Sequence, residues 1–201
     1  MMATITQRVV RNARRRGVTV LHHGHWGSKR RVTYAIRRRT RRVRSPVDTV
    51  VQHITVTLDH GPLTRDFKTD MQTVERIGYE RFKSGVSYNF VVDMVTGMVG
   101  VGMPLDAKGT HTVNTRRVPG YSYDQNKLAR AIAVLGMPND ELSEVAEKAI
   151  ISLLAAMVDE GAILRTFDYD PHSKFAAKDC PCDATRNRMP AIRAAALKEK
   201  C

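Results

Sequence analysis

A histidine and a cysteine, His172 and Cys180, stand eight residues apart in the proline-bounded stretch that runs from Asp170-Pro171-His172 to Lys178-Asp179-Cys180-Pro181. An imidazole nitrogen and a thiolate both ligate Zn²⁺, at about 2.0–2.3 Å and in tetrahedral geometry. A further histidine, His53, lies inside the apolar run 49–56, where a neutral ring needs a polar partner. Taken alone, His53 reads as a core histidine with its ring satisfied. Taken with His172 and Cys180, it completes three protein ligands and leaves a fourth position for water, the arrangement of a catalytic zinc site. Cys182 is the rival ligand to Cys180. These two cysteines are too close in sequence for an easy disulfide. With Cys201 they make an odd count, so free buried thiols and a metal site are both open readings. The remaining candidates are weaker. His22, His23 and His25 fall in a basic segment and read as solvated or polymer-stacking, and His60 falls in a turn.

Residues this far apart need a sheet to bring them together. The segment 49–56 is β-branched and reads as a buried strand that carries His53. Gly61-Pro62 marks a loop, and Met71, Val74, Ile77, Gly78 and Phe82 keep helical spacing over residues 70–83. Residues 88–92 and 98–101, separated by a turn at Gly97, read as a hairpin. Residues 128–135 suit either a helix or a buried strand. The clearest helix spans residues 141–159, with Asn139 or Asp140 as its cap and Gly161 at its end. A loop carrying His172 and Cys180 follows, and then a helix from Pro190 to about Lys198, with proline in the first turn. Strands mixed with helices predict an α/β fold, a central mixed sheet flanked by helices.

Charge divides the chain. Of its 201 residues, the first 44 hold 14 Lys or Arg and no Asp or Glu, while the rest holds 19 basic and 20 acidic residues. The whole excess of +13 therefore sits in the first segment. This predicts a basic N-terminal arm over 1–45, with Val18 to Leu21 and Val32 to Ile36 as short strands within it, and a near-neutral body over 46–201. The arm is suited to an anionic polymer and the body to chemistry. Composition at 42% hydrophobic excludes disorder along the whole length. No apolar run reaches the roughly 18–20 residues of a membrane span, and no secretory signal is legible. Synthesis in the cytoplasm is therefore expected.

The body resembles the zinc-dependent N-acetylmuramoyl-L-alanine amidases, the group that includes short phage lysozymes and peptidoglycan recognition proteins. Val50-Val51-Gln52-His53-Ile54-Thr55 is similar to that family's first strand, which ends in its first zinc histidine. Ser87-Tyr88-Asn89-Phe90-Val91-Val92 resembles the segment that opens on a catalytic tyrosine, and residues 97–102 the hairpin after it. Gly109-Thr110-His111 looks like the Gly-x-His of the substrate-side loop. Asn126 with residues 131–136 resembles the next strand, and residues 172–181 the closing zinc loop, with a lysine two residues before the cysteine. The likeness runs over about residues 46–197. It departs at Ile54, where the family often has a polar or aromatic residue, and at Arg116-Arg117.

The resemblance implies zinc held by His53, His172 and Cys180, the last preferred over Cys182 by the spacing to Lys178 and Pro181. It implies hydrolysis of the amide between N-acetylmuramic acid and L-alanine, with Tyr88 orienting or deprotonating the water, Lys178 facing the oxyanion and His111 contacting the substrate. Peptidoglycan would be the substrate polymer. The setting would be a phage endolysin or a virion-associated lysin, acting at the bacterial cell wall. Residues 1–45 would then contact an anionic wall polymer or a phage tail protein. Two other classes compete: a nucleic-acid-binding module built on the basic arm, for which stacking residues are few, only Trp26 and Tyr34, and a non-catalytic recognition protein on the same fold.

Overall fold

The computed structural model describes residues 2–29, 45–55, 63–112, 118–121, 124–136 and 141–199. The strand expected over 32–36, the Gly61-Pro62 loop with His60, the Arg116-Arg117 pair, the caps Asn139 and Asp140, and Cys201 lie outside the described residues.

Six strands form one mixed sheet: β1 (Val20–Leu21), β2 (Val47–Thr55), β3 (Phe90–Asp93), β4 (Val99–Val101), β5 (Ala129–Leu135) and β6 (Ile163–Pro171). They lie side by side in the order β1-β4-β3-β5-β2-β6. Among the described residues the β3–β4 pair is antiparallel and the other pairs run parallel. The helices are α1 (Ile5–Arg15), α2 (His23–Trp26), α3 (Phe67–Phe82), α4 (Gln125–Leu128), α5 (Glu144–Asp159) and α6 (Asp183–Lys198). This is the α/β architecture expected from the sequence.

The period of two along each strand assigns the faces. Val50, Ile54, Phe90, Val92, Ile132 and Val134 join one core with residues of α1, α5 and α6. Val91, Ala133 and Leu135 face the other way, into a core with Trp26 of α2 and Phe67, Met71 and Val74 of α3. His53 is in phase with Val51, which packs with Ala129 and Phe175. It therefore belongs to the face that α5 and α6 do not cover.

Residues 5–26, within the segment whose charge suggests an arm, fold onto this sheet. Helix α1 opens on a capping box, Thr4 with Gln7. It buries Val9, Val10 and Ala13, and β1 joins the sheet edge beside β4. Burying a valine side chain contributes about 1.5–3 kcal/mol, whereas like charges at i,i+4, such as Arg11 and Arg15, cost a few tenths. The apolar stripe outweighs the arginine repulsion.

Residues 128–135, open between helix and strand, are strand β5 from Ala129, buried along its whole length. Three expectations need correction. The cap of α5 is Ser143, whose hydroxyl accepts from the Ala146 N–H at 3.1 Å. Residues 163–171 are strand, where a loop was expected after Gly161. β6 is an edge strand with only Ile163, Phe167 and Tyr169 buried, so its apolar signal is sparse. Helix α6 begins at Asp183, and Pro190 lies in its interior. A proline there removes one backbone donor, and the first two turns are held before it by bonds such as Arg186 N–H to Cys182 O at 2.9 Å.

Candidate metal centre

The register of β2 and β6 builds the site. Gln52 pairs with Pro171, so His172, in the 3₁₀ turn His172–Lys174, emerges beside His53. The two rings stand with centroids 4.4 Å apart. Gln52 is itself fully buried and satisfied: its Nε2 donates to the His53 carbonyl at 2.8 Å, and its Oε1 accepts from the Tyr169 hydroxyl. The chain then returns through residues 175–179. Ser173 N–H donates to the Cys180 carbonyl at 2.7 Å, closing the loop, and Ile54 N–H donates to the Cys180 sulfur at 3.4 Å.

As a result, one ligand atom from each of His53, His172 and Cys180 lies within 4.8 Å of the others. Cys182 is placed elsewhere, at the N-cap of α6 with its sulfur 3.6 Å from the Thr185 hydroxyl. Tyr88 is half-buried and stacks obliquely on His53 at 5.0 Å between centroids. His111 brings its Nδ1 to 3.2 Å from His53 Nε2. Lys178 is exposed at the rim of the loop.

The electrostatics favour neutral imidazoles. Burial first, then the neighbouring His172 and His111, holds His53 well below the usual histidine range. Burial, His172 and Arg130 bring His111 down to about 3, and burial with the Lys178 charge brings His172 to about 4. Burial pushes the Cys180 thiol up, opposed by the Ile54 N–H and by Lys178. Burial and the nearby Cys180 raise the Tyr88 phenol. Lys178 therefore acts on both His172 and Cys180.

The donor set fits a zinc ion. Two neutral imidazoles and a sulfur are soft-to-borderline ligands. His172 Nε2 is buried with no hydrogen-bond partner among the described residues, which is costly unless something else binds it.

No family model and no curated protein matches the sequence. Solved structures do match. Drosophila peptidoglycan recognition protein PGRP-SA superposes with a TM-score of 0.69 at 22% identity, covering 86% of this chain and 91% of that one. Drosophila PGRP-LB gives 0.67 at 18%, covering 85% and 92%. The N-acetylmuramoyl-L-alanine amidase LysC from Clostridium intestinale URNW gives 0.56 at 23%, covering 80% and 95%. The fold is that of peptidoglycan recognition proteins and clostridial amidases. At these identities the likeness is one of fold, and the chemistry of this amidase-like fold rests on the residues above.

Two features of the site were not assigned roles from the sequence. Asn126, on α4, bonds both sides of the loop that bears His111. The Tyr121 hydroxyl lies 2.8 Å from carboxylate oxygens of both Asp168 and Asp170 and accepts from Lys174 Nζ at 2.8 Å, tying residues 118–121 to the start of the loop that carries His172 and Cys180. A polar residue next to a short helix gives no signal of its partner, so neither network was legible.

Proposed function

We propose that this chain is a zinc-dependent hydrolase of peptidoglycan that cleaves the amide between N-acetylmuramic acid and L-alanine. The observation that carries this reading is the convergence of His53, His172 and Cys180 to within 4.8 Å on the sheet face left open by α5 and α6. The likeness of fold to amidases supports it.

In this reading His53, His172 and Cys180 hold the ion. When bound, Zn²⁺ lowers the pKa of its water to about 7 and polarises the scissile carbonyl. Tyr88, beside His53 and kept protonated by its burial, would orient the water through its hydroxyl. Lys178, at the loop rim, supplies positive charge to the oxyanion as the tetrahedral carbon forms. His111, whose Nε2 has no partner among the described residues, donates to the substrate carbonyl. The enzyme would act at the bacterial wall, as an endolysin or as a virion-associated lysin, with residues 1–45 contacting an anionic wall polymer or a tail protein. No helix among the described residues is long and apolar enough to cross a membrane.

The test is direct. Purified protein should carry one zinc per chain, clear a suspension of cell walls, and release stem peptides with a new L-alanine amino terminus. A chelator should stop all clearing. The competing reading, a non-catalytic protein that binds walls or nucleic acid, is favoured by the arginine-rich first segment. Retention on walls with no new amino terminus selects it.

A further inference from the structure

His111 enters the reading above only as a substrate contact, yet the geometry around it is more specific. The ring is buried. Its Nδ1 lies 3.2 Å from His53 Nε2 and 2.9 Å from the Thr112 hydroxyl, and its Nε2 has no partner among the described residues. If His53 keeps its Nε2 contact with His111 when an ion is bound, Nδ1 would be the nitrogen it offers the ion, Nε2–H would donate to His111 Nδ1, and His111 would carry its proton on Nε2. In that state His111 offers one N–H from a dry position, as a donor to a developing oxyanion must.

This arrangement works only while the ring stays in register with His53, and the backbone around it is irregular. What fixes it is one residue, Asn126, through its main chain on one side and its side chain on the other. The Asn126 carbonyl accepts from Gly109 N–H at 2.9 Å, on one side of His111. Its side-chain Oδ1 accepts from Thr112 N–H at 2.9 Å, and its Nδ2 donates to the Thr112 carbonyl, on the other side. The amide thus imitates a strand partner, one acceptor and one donor, across the residue next to His111. From beneath, the Thr110 hydroxyl donates to Ser87 Oγ at 2.9 Å. Gly109 completes the fit, because a Cβ there would come within 2.7 Å of the His111 ring.

We infer that Asn126 is a positioning residue of this site, acting through His111 by holding its ring against His53. The inference rests on the amidase reading for its kinetic consequences, but not for its structural ones.

A double-mutant cycle with a spectroscopic arm tests it, in the full chain. On a soluble muropeptide, Asn126→Ala should lower kcat by about 10–100-fold, the order of loss that misplacement of a reacting group produces, with KM nearly unchanged and zinc still bound. In a His111→Ala background the same substitution should cost less than about twofold, since the two residues act as one unit. Long-range ¹H–¹⁵N spectra of the histidine rings, with and without zinc, should show wild-type His111 as a single Nε2-protonated tautomer, and Asn126→Ala should convert this to an averaged signal. Asn126→Asp keeps the acceptor for Thr112 N–H and should fall between the two; it also serves if the alanine variant does not fold. Equal losses in both backgrounds, an unchanged kcat, or a His111 signal unaffected by Asn126→Ala overturns the inference. Ring signals that report His111 itself on zinc overturn it as well. If the wild type hydrolyses nothing, the amidase reading fails, and the ring spectra alone decide the role of Asn126.

Discussion

The sulfur of Cys180 accepts the backbone N–H of Ile54 at 3.4 Å, so the late loop docks on the residue directly after His53. That bond does two things. It sets the reach of the loop so that Cys180, and not Cys182, stands beside both histidines, and it stabilises negative charge on the sulfur.

The first prediction follows from this docking. Cys180→Ser should leave less than about a fifth of the zinc bound and cut wall clearing by at least about 100-fold, at the upper end of losses for even outer-shell changes at metal sites. Cys182→Ser should keep both, because Cys182 faces Thr185 at the start of α6. Metal analysis by mass spectrometry with a turbidity assay checks the pair. The reverse pattern would reassign the ligand.

Zinc should also stabilise the fold. An ion that binds only the native state adds about 2.7 kcal/mol when its free concentration is 100 times Kd. For a domain of this size that corresponds to about 5–10 °C in Tm. Calorimetry with and without chelator should show the shift, and Cys180→Ser should lose it.

Lys178 separates binding from chemistry. It is exposed and bonds to no ligand side chain, yet its charge reaches His172 and Cys180. Lys178→Ala should retain one zinc per chain and lose about 10²–10³ in kcat, the range for removal of one oxyanion donor. An unchanged kcat on muropeptide would remove Lys178 from the mechanism.

Gly78 makes a purely structural prediction. A Cβ at this position in α3 would sit 1.7 Å from the Gly85 carbonyl oxygen. That contact packs α3 against the turn leading to Tyr88, and backbone, unlike a flexible side chain, moves only at a cost. Gly78→Ala should destabilise the protein by about 2 kcal/mol or more, read from the midpoint of urea unfolding. A shift below about 0.5 kcal/mol would mean that the turn relaxes freely.

Parts of this architecture were legible from local pattern, and others were not, for physical reasons. β2 announces itself as a β-branched run, and α5 because its apolar residues recur with helical spacing. α1 does not, because Arg8, Arg11, Arg14 and Arg15 crowd the helix face around a stripe of only Val9, Val10 and Ala13; composition there points to an arm, whereas packing makes a helix. β6 is hidden by its place at the sheet edge, where one face of the strand needs no apolar residues. For the site, residue type suggests the chemistry of His53, His172 and Cys180, but not their meeting. That meeting depends on a parallel register, Gln52 against Pro171, which no spacing encodes. The Asn126 clamp is less visible still, since an asparagine in a one-turn helix carries no mark of the backbone it will bind.

The hydroxyl of Thr6 in α1 accepts the N–H of Leu105 at 2.9 Å, on the segment that leads to His111. The opening helix is therefore stitched to the segment that leads to His111 as well as to α5. Shortening the chain to remove the arginine charge also removes the Thr6 contact that anchors the segment leading to His111. Exchanging arginines for glutamines in place, with the backbone intact, is the cleaner dissection.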